Sequence, residues 1–561
     1  MIRNFIFLFV PALFSAQCVI DEDAYGIDRN KHIIVINQNT GDLNAQVPGS
    51  KSYFVMGGIS YYFDQAVGEL QKGIAYSVTA DNVSYKAFFS DLPIIRMTTT
   101  GTISDTPKVP GSLEMLNPGE TKISTLIGVE YRGASSQSYP KKSMEVEFWQ
   151  NENGDDTQDL SLLNLFEDDA VNLQAMYNEK LRINSKTAND LWQEIHPDVY
   201  YRNKEEDAHS GMVMKYTDLF LNGEYRGVYG VGEKVKRKFL KLKKYDNGIK
   251  GELYKGDSWD DAPHFNGLHP YDNSSDYWDG FEYKYPNEVI DWSNLYGLVE
   301  FVVNADEATF RSNYSSRIDV DNMLDYFIFM NLIRAVDNRG KNLYIAKYKK
   351  NEPYFYVPWD LDATYGSNWD GTNLNDYSDI LFNGLYSRLW EDPAFRTKLS
   401  ERWNVLRASS VTPEHINAML VANYQTLQDN GVYLREKLVW TNFNATSSQL
   451  DYHKTWVQNR ISYLDSVFGE YLSSNETGKG NITFSIFPNP ANGYFSVQGV
   501  SSWKDAEISI IDVSGKILLK NRFDGSDPHP AISVASLSSG IYFVIFKQGS
   551  MTKTFRLAVK R

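Results

Sequence analysis

The chain has 561 residues, 42% hydrophobic and 23% charged, a soluble globular composition too long for one compact core, so roughly two to four domains are expected. A formal net charge of −15 argues against wrapping nucleic acid or lying on an anionic membrane, because long-range repulsion opposes both. The single cysteine, Cys18, leaves no internal disulfide, and stability must come from packing.

Residues 1–17, "MIRNFIFLFVPALFSAQ", carry one Arg, an apolar run and small residues at Ser15 and Ala16, the pattern of a secretory signal peptide. The apolar run is too short to span a bilayer, and no later transmembrane segment is expected. A lipidated Cys18 would want Gly or Ala before it, where Gln17 stands. Residues 18–84 read as a β-rich segment through runs such as "KHIIVIN" and "KSYFVMGGISYYF". Strands continue from about 120 to 255, as in "STLIGVEYRG" and "KSMEVEFW", broken by one helical stretch over 178–195. From about 290 to 470 the pattern turns helical, with "SNLYGLVEFVVNAD" and "DPAFRTKLSERWNVLRA" as examples. A polar linker over 471–483 precedes residues 484–561, which read as a sandwich of about seven strands, with Asn492-Gly493, Ser514-Gly515 and Ser539-Gly540 at turns.

Chemistry is concentrated around "AVDNRGKNLY", residues 335–344. Before it, Met323, Leu324, Phe327, Ile328 and Leu332 share one face of a helix that starts at Asp319 or Asp321. After it, "NLYIAKY" and "PYFYVP" read as a hairpin ending in Trp359-Asp-Leu-Asp362. Asp337 and Asn342 are five residues apart, and Asp360 follows Asp337 by 23. Turn and capping roles explain an Asp and an Asn in a loop equally well. This order is also the one phosphoryl transfer from ATP needs: a loop Asp for the acceptor hydroxyl, then an Asn and an Asp for the metal. Asp360 and Asp362 differ by two, so an extended segment puts both on one side. They are too close in sequence to flank a glycosidic bond, which disfavours a two-carboxylate hydrolase.

Across residues 85–470 the chain resembles the CotH kinase family, through "FFSDLPIIRMTT", "YRGASSQSYPKKSMEVEF", "KLRINSKTANDLW", "DLFLNGEYRGVYGVGEKV", "GELYKGD", "FEYKYP", "DNRGKNLY" and "VPWDLDATYG" in order. The resemblance implies an α+β fold, a divergent two-lobed protein kinase with a small lobe over about 120–255 and a large lobe over 256–470. It implies ATP and Mg²⁺ or Mn²⁺ as cofactors. Carried over, Asp337 is the catalytic Asp, Asn342 and Asp360 are metal ligands, and Asp362 is a second candidate ligand. Arg132, Ser135 and Ser136 fall where a phosphate-covering loop belongs. One of Lys141 and Lys142 should reach the phosphates; alternation along a strand favours Lys142, with Glu179 as its partner. Backbone groups at Gly230 to Gly232 would meet the adenine, and Glu233 would touch the nucleotide or cap the strand exit. The chain departs from kinases in lacking HRD and DFG, since Ala335-Val336 precede Asp337 and Leu361-Asp362 follow Asp360.

The last segment resembles the type A sorting domain of the type IX secretion system, through "FPNPANGYF", "ISIIDVSGKIL", "SLSSGIYFV" and the basic end Lys560-Arg561. That implies export through the periplasm to the surface or medium, the type IX machinery as a partner, and a host of the Bacteroidetes type. The functional expectation is a secreted kinase phosphorylating Ser or Thr of exported or surface proteins. Its alternative is a structural or adhesive surface protein that keeps a kinase-like scaffold without turnover.

Overall fold

Period-two burial sets the first sheet. In β7 (Val83–Phe89), Tyr85, Ala87 and Phe89 are buried while Ser84 and Lys86 face out. The computed structural model describes residues 18–133, 135–469, 485–498, 503–512, 516–525, 530–549 and 551–560. The expected signal peptide and linker lie outside these residues. The chain divides into two compact units, 1–472 and 473–561.

The first unit opens with β1 (Cys18–Ile20), β2 (Tyr25–Asp28), β3 (Ile33–Ile36), β4 (Lys51–Met56), β5 (Ile59–Val67), β6 (Ala75–Ala80) and β7. They form one sheet in the order β1-β4-β5-β6-β7-β3-β2. A short helix α1 (Thr40–Gln46), capped by the Asn39 carboxamide, buries Leu43 in its core.

A closed barrel follows, made of β8 (Ile94–Thr99), β9 (Val109–Leu116), β10 (Ile123–Tyr131), β11 (Met144–Trp149), β12 (Ala170–Gln174), β13 (Met214–Leu221) and β14 (Glu224–Gly232). Cross-strand partners Val129 and Val146, then Leu173 and Val231, fill its interior. The barrel closes only with β8 and β9, which precede the region expected over 120–255. The helix expected over 178–195 is α2 (Asn184–Ile195). Turns occupy 178–183, and Arg182 adopts a left-handed φ of 58° that no helix accommodates.

A second sheet carries β15 (Glu252–Gly256), β16 (Tyr277–Trp278), β17 (Phe281–Tyr285), β18 (Leu343–Lys347) and β19 (Tyr354–Pro358), in the order β16-β17-β15-β18-β19. Thus β15, the last strand expected with the small β region, pairs with β18 of the β18–β19 hairpin instead. Helices α3 (Asp261–His264), α4 (Ser293–Asn304), α5 (Glu307–Asn313) and α6 (Val320–Ile333) are interleaved with it. Helices α7 (Gly384–Glu391), α8 (Pro393–Arg407), α9 (Pro413–Asp429), α10 (Val432–Val439) and α11 (Ser447–Phe468) complete the unit. Helix α6 is buried nearly all round, not on one face, and its cap is Asp319, whose carboxylate accepts from the Asp321 and Asn322 N–H groups. No described helix is long and apolar enough to cross a membrane.

The second unit is all β: β20 (Ser485–Phe487), β21 (Tyr494–Gln498), β22 (Lys504–Ile511), β23 (Ile517–Asp524), β24 (Ile532–Ser533), β25 (Gly540–Gln548) and β26 (Met551–Val559). They form sheets ordered β20-β21-β24 and β23-β22-β25-β26, around Phe495, Ile510, Val544, Phe546 and Leu557.

Candidate functional site

Helix α6 stops at Arg334, in left-handed conformation, and the chain turns through a 3₁₀ segment at Asp337–Arg339. Asn338, buried beneath this turn, anchors the loop. Its Nδ2 donates to the Asn342 carbonyl at 2.5 Å and to the Trp359 carbonyl at 2.8 Å, tying the loop to the end of the hairpin. The Asn342 N–H donates to the Gly256 carbonyl, and the Trp359 N–H to the Asn342 carbonyl. Gly256 and Gly340 let strand and loop backbones meet: a Cβ on Gly256 would overlap the Gly340 carbonyl oxygen, and one on Gly340 would strike His264. Asn342 and Asp360 hold left-handed φ angles of 55° and 54°, a conformation that Asn and Asp tolerate better than most residues but at some cost.

Asp337, Asn342, Asp360 and Asp362 thereby line one cavity of about 700 Å³. Asp362 accepts from the Asn178 Nδ2 at 2.7 Å. Burial pushes its carboxyl well above the usual carboxylate range, and the neighbouring Asp360 pushes the same way. Burial also raises Asp337; Lys341 opposes the rise and Asp360 adds to it. Crowded acids of this kind suit a hard cation. Among the described residues no three Asp, Glu, His or Cys side chains converge into a ready-made cation cluster. Mg²⁺ needs none, since it is commonly held by one or two carboxylates together with substrate phosphates.

The opposite wall belongs to the barrel. Its outer face presents Glu145, Asn172 and Gln174, and the chain leaving β14 adds Lys234, Lys236 and Lys238. Lys234 donates to Glu145 at 2.5 Å. Burial alone would raise the Glu145 carboxyl, but Lys234 and Lys108 hold it down at about 2. In a chain with a large acidic excess, the cavity lining as a whole carries nine lysines or arginines against eight aspartates or glutamates, so it is locally close to neutral and tolerates an anion.

The structure redistributes several expected roles. Strand β11 starts only at Met144, so Lys141 and Lys142 sit in the preceding connection and strand alternation does not govern them. Lys142 turns away from the cavity, its Nζ bonded to the Gln137 and Tyr139 carbonyls. Lys141 lines the cavity. Its fully buried Nζ donates to Glu436 at 2.8 Å and to the Val228 carbonyl at 2.6 Å. Burial lowers this ammonium to about 8, even with Glu436 opposing the fall. The partner is therefore Glu436 on α10, not Glu179. Glu436 also accepts from Arg182 at 3.1 Å and from the Val228 N–H at 2.7 Å. Glu179 borders the cavity but caps α2, accepting from the Asn184 and Ser185 N–H groups; burial raises its carboxyl to about 7.

Glu233 is likewise structural, accepting from the Phe166 and Val213 N–H groups. Gly230 and Gly232 are paired with β12 on one side and β13 on the other, so their backbone has no free edge for a base. Arg132 and Ser136 do line the cavity, with the Arg132 guanidinium 5.0 Å above the Trp359 ring. The side chain of Ser135 lies outside the described residues. Sequence reasoning missed Glu436, Asn338 and Lys341. Asn338 and Lys341 both lie between Asp337 and Asn342 in the motif, and Lys341 lines the cavity; only Glu436 had no local signal.

A secretion system C-terminal sorting domain matches residues 485–560, indicating a secreted or cell-surface protein that engages the type IX secretion machinery. Inner spore coat protein H of Bacillus subtilis (strain 168) is 23% identical over 342 residues, covering 60% of this chain and 86% of that protein. The CotH kinase protein model matches residues 129–464, most of the chain, and the protein therefore belongs to the CotH kinase family.

Proposed function

We propose that the protein is a secreted, ATP-dependent atypical kinase that phosphorylates Ser or Thr hydroxyls of exported or surface proteins. In this reading the barrel acts as a small lobe, and the second sheet with its helices as a large one. The observation that carries it is the convergence of Asp337, Asn342, Asp360 and Asp362 with Lys141 around one cavity. Its volume falls in the range usual for small-molecule sites, about 300–1,000 Å³.

Asn342, Asp360 and Asp362 would hold Mg²⁺ or Mn²⁺, which supplies charge neutralisation for the phosphates when bound. Asp337 takes the proton of the acceptor hydroxyl as its oxygen bonds to the γ-phosphorus and the bond to the ADP oxygen breaks. Its raised carboxyl suits that task better than an ordinary aspartate would. Lys141, held in place by Glu436, offers its ammonium to the phosphates. Arg132 and Lys341 border the same space. Burial and Asp360 raise the Asp362 carboxyl, and a cation bound beside it would favour the charged, ligating form.

The test is transfer of label from γ-labelled ATP, with Mg²⁺ or Mn²⁺, to the protein itself and to a generic acceptor. Asp337→Ala and Asp360→Ala should each reduce transfer by about 10²–10⁴-fold. Absence of label together with absence of nucleotide binding would overturn the reading and leave the non-catalytic surface protein in its place.

A further inference from the structure

Strand β12 runs along the barrel wall of the cavity and ends near the carboxylates, since Asn178, four residues beyond it, holds Asp362. Walking back along the strand leads away from that end at about 3.3 Å per residue. Gln174 is the last residue of the strand and Asn172 lies two residues further back on the same face, both lining the cavity. They are 1% and 5% exposed.

Their amide nitrogens face the protein. Asn172 Nδ2 lies 3.4 Å from the Glu233 carbonyl, and Gln174 Nε2 lies 3.9 Å from the Met212 sulfur. Among the described residues no donor reaches either carbonyl oxygen. Neither oxygen is sealed inside the protein: both open onto the cavity, where a ligand donor can reach them. The partners of these residues on β14 are Gly232 and Gly230, so the adjoining strand adds no side chain to that face. Beside them Asp168 is 4% exposed, and its Oδ2, 3.4 Å from Lys236, takes no hydrogen bond. This stretch of the wall therefore offers the cavity two amide oxygens that no donor among the described residues occupies, beside an Asp168 carboxylate paired with Lys236.

We propose that Asn172 and Gln174 form the base-reading element of the nucleotide site, their carbonyl oxygens accepting the N–H groups of the exocyclic amine of the base. This rests on the ATP-dependent reading above and adds the basis of its nucleotide choice. A base whose edge carries hydrogen instead of the amine leaves the two oxygens buried and unsatisfied, which a site of this kind penalises.

Titration calorimetry on the purified chain with Mg²⁺ would compare three probes: ATP, purine riboside triphosphate (the same ring without the amine) and tripolyphosphate. Wild type should bind ATP at least about tenfold more tightly than purine riboside triphosphate, the scale of one well-made base contact. In Asn172→Leu with Gln174→Leu that ratio should fall towards one, as ATP loses its contact and purine riboside triphosphate loses its penalty, with tripolyphosphate affinity within about twofold of wild type. The single changes Asn172→Ala and Gln174→Ala, checked by thermal melting, keep the test open if the double variant does not fold; each should lower the ratio. Equal wild-type binding of ATP and purine riboside triphosphate overturns base reading while leaving the kinase reading intact. So does a preference that all variants retain. If none of the three probes binds, both readings fall together.

Discussion

The two walls of the cavity solve opposite electrostatic problems. The loop wall gathers carboxyls whose crowding and burial outweigh Lys341, so Asp337 and Asp362 are driven towards their protonated forms. The barrel wall buries Lys141 and Arg182 and closes them on a single carboxylate, Glu436, so it is bonded before any ligand arrives. One wall is poised and left incomplete; the other is rigid. Preorganised positive charge facing an unsatisfied acidic cluster is the arrangement that a metal-bound polyphosphate completes from both sides.

The largest test of that contrast is on the rigid wall. Glu436→Ala strands two buried cations and the Val228 N–H. Removing one partner of such a set costs about 3–5 kcal/mol, so the melting temperature should fall sharply. Lys142→Ala, whose amine bonds only loop carbonyls, should lower stability by no more than about 1 kcal/mol. Comparable losses in the two variants, read by denaturant unfolding, would mean that the buried ion set is not what fixes this wall.

The loop wall depends on one carboxamide. Asn338→Ala removes two hydrogen bonds that hold Asn342 and Trp359; the Asn342 carbonyl keeps the Trp359 N–H, so the cost is about 0.5–1.5 kcal/mol for each bond lost. Its phosphoryl transfer should drop by more than its stability does, measured at a temperature where the variant is still folded, because Asn342 and Asp360 lose their common anchor. Transfer that merely follows the folded fraction would reduce Asn338 to a packing residue.

The two walls also differ in how much the sequence discloses. The loop wall is contiguous: Asp337, Asn342, Asp360 and Asp362 lie within 26 residues, and the intervening hairpin fixes their order, so spacing alone brings them together. The barrel wall is assembled from afar. Lys141 and Glu436 are 295 residues apart, and Arg435-Glu436-Lys437 looks like the solvated face of a short helix. Both Arg435 and Glu436 are instead fully buried, Arg435 on Asp218 and Glu436 on Lys141. No local pattern distinguishes a buried charged pair from an exposed one when each partner is supplied by a different element. The error over Lys142 has a related cause: alternation applies only within a strand, and the strand begins two residues later. Glu179 has the right residue type near the right helix, but an unwound first turn makes it the cap. The acidic wall can be read because its geometry is local; the basic wall could be read only once α10 was known to dock on β14.

The smallest effect separates stability from chemistry on the loop wall itself. Asp360 sits at φ 54° beside Asp337 and Asp362, so it carries both backbone strain and charge repulsion. Asp360→Gly relieves both, against the greater chain entropy that glycine loses on folding. The expected net is a gain of about 0.5–1 kcal/mol in unfolding free energy without metal, together with loss of transfer. Added Mg²⁺ and ATP should stabilise wild type and not this variant, because ligand binding raises apparent stability only where the site is intact. A variant less stable than wild type without ligand would show that the Asp360 carboxylate is compensated within the protein. The loop wall would then be as self-contained as the barrel wall, and the contrast between them would vanish.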